Sequence, residues 1–182
     1  MTPVEYSQLN AFARLDGVRL AVAWTVSFAC YVASFSWSAM SLMALLPVLA
    51  TPLLMGRMTG RYVAVALGGK STVGRRYLYA MMLFFYAALL FAFVQWLYFA
   101  YLDHGQMLNW VEQTAATPDG QQALAAYGLD KEFDSTMAML RSQRPIDLAL
   151  NILSTNLMLG LVVSLLAMAF VRTTPPAHLR KP

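Results

Sequence analysis

The sequence predicts an all-α fold: a polytopic integral membrane protein with four transmembrane helices and a helical extracytoplasmic segment between helices three and four. Three observations carry this. Residues 77–102, YLYAMMLFFYAALLFAFVQWLYFAYL, run for 26 positions without a charged side chain. As a helix that stretch is about 39 Å long, enough to cross a hydrocarbon core of about 30 Å with some tilt. The chain is 59% hydrophobic and 12% charged, where a soluble domain carries about 25% charged residues. Its Lys and Arg residues also fall in separate clusters between the apolar runs, as they do in membrane proteins with a defined orientation.

Residues 1–16 are mixed in character, with a short interfacial helix expected to carry Leu9, Phe12 and Leu15. The charged region before the first apolar run reaches Arg19 and contains Glu5 and Asp16, unlike the short basic start of a cleaved signal. The first helix is therefore expected to be retained.

From Leu20 to Gly56 there is no charge for 37 residues. That is too long for one crossing and is expected to fold back at Ser34–Ser38, beside Trp37. Helix one is expected at 17–35 and helix two at 39–58. Pro47 and Pro52 inside helix two predict kinks. Gly68-Gly69 breaks the chain, and Ser71-Thr72 caps helix three. Gly69-Lys70-Ser71 lacks the spaced glycines and preceding strand of a phosphate-binding loop. Helix three is expected at 77–102, with Tyr77, Tyr79, Gln95, Trp96, Tyr98 and Tyr101 towards its ends at the interfaces.

Residues 103–147 form the only sizeable polar region. Asp103, Glu112, Asp119, Asp130, Glu132 and Asp134 outnumber Lys131, Arg141 and Arg144. Apolar residues recur there at helical spacing, as at Phe133, Met137 and Leu140. Two or three short amphipathic helices are expected, with a turn at Pro118-Asp119-Gly120 and a cap at Asp130. Trp110, Phe133, Met137 and Leu140 are the candidate residues of an ordered extracytoplasmic cap. Pro145 suits the first turn of helix four, expected at 148–171. The whole reads as a single domain over 1–182.

Ten of the thirteen Lys and Arg residues lie in the N-terminal stretch, the 57–76 linker and the tail. This predicts both termini in the cytoplasm and the acidic segment outside. Basic residues are nowhere dense enough for nucleic acid. Cys30 is alone, so no intrachain disulfide forms. His104 and His178 fall on opposite sides in this topology and share no metal. Ser-His-Asp, HExxH and CxxC patterns are missing, so no catalytic residue, cofactor or metal is assigned.

Small and polar stripes remain. Ala21, Thr25 and Ala29 in helix one, and Asn156, Gly160 and Ser164 in helix four, repeat at i, i+4 and predict close helix packing or a dimer face. Partners are expected to be the lipid bilayer, with a homo-oligomer or a membrane or periplasmic protein in addition.

The order of a tight two-helix hairpin, a basic linker, a third helix, a polar segment of some forty residues and a final helix resembles the bacterial family called domain of unknown function 4199. The likeness lies in Arg57–Tyr62 followed by Gly68-Gly69-Lys70-Ser71, in Tyr101-Leu102-Asp103, in Leu129–Leu140, and in Asn156, Gly160 and Ser164–Ala167. The resemblance implies an inner-membrane helical protein, largely of Bacteroidetes, with no activity to carry over. Three functions compete: a non-catalytic accessory or scaffold protein of the envelope, a small oligomeric transporter or channel, and a lipid-modifying membrane enzyme. The last rests only on Asp103, His104 and the inner-interface arginines.

Overall fold

A computed structural model describes residues 2–171. All regular structure among them is α-helical, in the order α1 Pro3–Ala33, α2 Met40–Ala66, α3 Val73–Tyr101, α4 Gln106–Ala115, α5 Pro118–Ala126, α6 Phe133–Ser142 and α7 Pro145–Met168. Four of these, α1, α2, α3 and α7, are long and apolar enough to cross a membrane. The fold-back falls where expected, in the turn that follows Ser34.

The helix boundaries differ from expectation, and each difference has a local cause. No separate interfacial helix precedes helix one; α1 starts at Pro3 and runs unbroken through 31 residues. Thr2 and Glu5 form a reciprocal capping box, with Glu5 N donating to Thr2 Oγ and Thr2 N donating to the Glu5 carboxylate. Proline at the first helical position adds to it. α2 passes through Arg57 and Arg61 and stops at Ala66, because Gly68 and Gly69 take up left-handed backbone (φ +58° and +87°). α3 begins at Val73, four residues early, where Thr72 Oγ accepts from Arg75 N at 3.3 Å. Pro118-Asp119-Gly120 is the first turn of α5 and not a loop, because Thr117 Oγ accepts from Gly120 N. Asp130 caps nothing; α6 starts from Glu132, whose side chain makes no cap bond.

The described chain divides into two compact units. One comprises the residues up to Phe91 and those from Leu153 onward; the other is Ala92–Ile152. In the first unit the core joins Leu9, Ala13 and Leu20 of α1 to Met55 and Val63 of α2 and to Leu83, Ala87 and Ala88 of α3. Trp24 of α1 donates its indole N–H to Thr51 Oγ of α2 at 3.0 Å. The Ser27 hydroxyl donates to the Ala44 carbonyl. Such bonds hold apolar helices together where burial from water gives no drive. Outward apolar residues are abundant, among them Leu45, Leu46 and Leu49 of α2 and Leu161, Val162, Leu165 and Leu166 of α7. Apolar exposure of this kind suits lipid and would be an aggregation hazard in water.

Two glycines in this unit permit close approach. A Cβ on Gly17 would lie 2.7 Å from Tyr86 Cβ and 3.0 Å from the Leu83 carbonyl oxygen. A Cβ on Gly56 would lie 2.6 Å from Phe170 Cβ and 2.8 Å from the Ala167 carbonyl oxygen.

In the second unit, Asp103 starts α4 by accepting from Gly105 N at 3.1 Å and Met107 N at 3.0 Å. α4 packs against both α5 and α6.

Candidate functional site

Two places in the described chain gather polar chemistry. The first centres on Asp16, which lies on the buried stripe of α1 between Ala13 and Leu20. Its carboxylate is fully buried. Oδ1 accepts from Arg19 Nη1 and from Arg61 Nη2, each at 2.7 Å, and Oδ2 accepts from the Tyr79 hydroxyl at 2.7 Å. One carboxylate thus ties α1, α2 and α3. Both guanidinium groups are about half exposed, so only the acid is fully desolvated. A buried carboxylate is costly unless paired and hydrogen-bonded, and here both oxygens are engaged.

Aromatic rings wall the site. Tyr79 stacks on Tyr62 with centroids 4.2 Å apart and planes within 2°, and Phe12 tilts against Tyr62 at 5.6 Å. Tyr62 and Tyr79 are both fully buried, and Thr59 Oγ lacks a hydrogen-bond partner among the described residues. Nearby, Arg75 pairs with Glu5 at 3.1 Å and Tyr86 donates to Asn10. Tyr79 is therefore a core residue and not the interfacial anchor that its position near the start of an apolar run suggested.

Sequence reasoning missed Asp16 as a site because it lies outside the uncharged runs. A signal was present: Leu9, Ala13, Asp16 and Leu20 share one helical face, so the acid interrupts an apolar stripe. Arg19 follows at i+3.

The small-residue stripes are each buried only in part. Ala21 is buried in the core, but Thr25 Oγ donates to the Ala21 carbonyl within its own helix, and Ala29 is exposed. On α7, Gly160 and Ser164 are buried and Asn156 is half-buried. The neighbour against Gly160 is Phe84 of α3, whose Cδ1 would lie 2.6 Å from an added Cβ. The Ser164 hydroxyl has no partner among the described residues.

The second place is the 103–147 segment. Arg141 of α6 reaches α4 with three hydrogen bonds: Nε to Glu112 Oε1 at 3.0 Å, and Nη2 to Glu112 Oε2 and Asn109 Oδ1, both at 2.7 Å. The bidentate pair holds the Glu112 carboxyl below the ordinary carboxylate range and keeps Arg141 firmly protonated. Met137 is buried, while Trp110, Phe133 and Leu140 are half-buried. All four cap candidates thus lie on ordered helices. Between α4, α5 and α6 opens a groove of about 750 Å³, with Leu124, Phe133 and Met137 among its apolar lining and Asp130 and Asp134 among its acids. His104, at the start of this segment, is exposed, with its ring near the Leu102 carbonyl.

Four apolar spans, with no regular structure but helix among the described residues, define a multi-pass α-helical membrane protein. The model of a family described as a protein of unknown function, DUF4199, matches residues 16–173. The chain belongs to that family. Comparison with curated proteins and with solved structures finds no match.

Proposed function

We propose that this is a non-catalytic accessory or scaffold protein of the bacterial inner membrane, with both termini and the 57–76 linker in the cytoplasm and the 103–147 segment outside. The observation that carries the reading is the outer segment itself. A stretch of this length is far longer than a connection needs, yet it folds into α4, α5 and α6, clamped by Arg141 on Glu112 and Asn109. Such a structure serves recognition better than linkage. The polar atoms of the Asp16 cluster join helices to one another, which supports a structural role for it. The distribution of Lys and Arg supports the orientation.

Purification of the full chain from native membranes in mild detergent tests the reading. A stoichiometric second protein is expected. Recovery of the chain only as a homo-oligomer would replace this reading with a small transporter. That alternative draws on Pro47 and Pro52 inside α2 and on the buried Ser164 hydroxyl of α7, which has no partner among the described residues.

A further inference from the structure

We propose that the groove between α4, α5 and α6 is a docking site for a basic amphipathic helix of a partner protein. The inference rests on the accessory reading and names the chemistry of the partner. The groove has a volume of about 750 Å³. Leu124, Phe133 and Met137 line it, and Ala138 has no bulk to fill it. A cleft of about 230 Å³, also lined by Leu124 and Phe133, adjoins it and extends the apolar track towards Trp110.

Charge chooses among the occupants. Asp130 and Asp134 both line the groove. Neither has a hydrogen-bond or ion-pair partner among the described residues, whereas Glu112 is neutralised by Arg141. The segment as a whole carries seven acids against three bases. Two uncompensated carboxylates repel lipid phosphate and attract Lys or Arg. An apolar track beside acidic side chains therefore suits an amphipathic helix that lays its apolar face in the groove and its basic side chains against the two acids.

The test uses the full chain in nanodiscs of phosphatidylcholine, titrated with a fluorescent helix-forming peptide of leucine and lysine whose leucines share one face. Its leucine–glutamate counterpart and empty nanodiscs are the controls. Saturable binding of the lysine peptide alone is expected. Ala138→Trp, which fills the groove without changing charge, and the pair Asp130→Asn with Asp134→Asn should each weaken it roughly tenfold, or about 1.4 kcal/mol. Ala116→Trp, at another exposed position lining the groove, serves if Ala138→Trp disturbs folding. Equal affinity of parent and filled variants, equal binding to empty nanodiscs, or equal binding of the glutamate peptide would overturn the proposal. Self-association that Ala138→Trp abolishes would assign the groove to a second copy and overturn the partner helix. In native membranes, a partner retained by Ala138→Trp removes the groove and leaves the accessory reading standing. Absence of any partner from the parent removes that reading, while the peptide titration still decides the groove.

Discussion

Asp16 has two cationic partners on one oxygen and a phenol on the other, so its substitutions should be unequal. Removing Arg19 or Arg61 alone leaves the carboxylate paired, and the half-exposed guanidinium that is lost gives little by itself. Each single alanine variant should cost about 1 kcal/mol or less. Removing both strands a fully buried charge, for which a cost of about 3–5 kcal/mol is expected. The double variant should therefore lose much more stability than the sum of the two singles in thermal unfolding in detergent. Additive behaviour would mean that the carboxylate is hydrated in the native protein. Tyr79→Phe keeps the stack on Tyr62 and deletes one hydrogen bond to a buried carboxylate, a loss of about 1.5–3 kcal/mol. The glycines rank in a similar way. Gly56→Ala would press on the Ala167 backbone, whereas Gly160→Ala meets a phenylalanine ring that can turn. Gly56→Ala should lower the melting temperature more, and Gly160→Leu, with more bulk against Phe84, should lower it again relative to Gly160→Ala. Equal melting for parent and Gly160→Leu would place that glycine against lipid.

At the scale of the element, α4 and α6 are held by the Arg141–Glu112 pair and carry the groove between them. Because the pair lowers the Glu112 pKa, its contribution is fully present above the ordinary carboxylate range and is lost as pH falls through the lowered native value. Amide exchange in α4 and α6, corrected for intrinsic rate, should accelerate on acidification through that window. In Glu112→Gln the acceleration should be reduced. An unchanged acid response in that variant would assign it to other carboxylates. At neutral pH the same experiment in nanodiscs should show protection across Phe133–Leu140, since Met137 is buried. Random-coil exchange there would remove the ordered segment.

At the scale of the whole molecule, the orientation we propose follows from charge. Ten of thirteen basic residues lie in the N-terminal stretch, the 57–76 linker and the tail. With Cys30 removed, single cysteines in place of Asp119 and Lys70 should respond differently to an impermeant thiol reagent on intact spheroplasts. Position 119 should label and position 70 should not. The reverse pattern would invert the topology and place the acidic groove in the cytoplasm, where a different set of partners would apply.

The spans were legible in the residues alone because crossing a bilayer is a requirement on length and polarity, and both are properties of the chain taken in order. The fold-back after Ser34, the Gly68-Gly69 break, Pro145 at a helix start and the helical character of 103–147 were legible for the same local reasons. Starts and stops drifted where a cap decided them, as at Thr2 and Thr117, since a cap depends on which hydroxyl meets which amide. The last helix was expected to run to residue 171, but α7 ends at Met168. The tail beyond residue 171 lies outside the described residues. Only tertiary structure decided what Asp16 does. Its partners Arg61 and Tyr79 lie 45 and 63 residues away. A charge beside an apolar run looks the same in sequence whether it faces headgroups or the core. The groove was hidden likewise, because periodicity shows that α4, α5 and α6 have apolar faces but not that the faces stop short of filling the space between them.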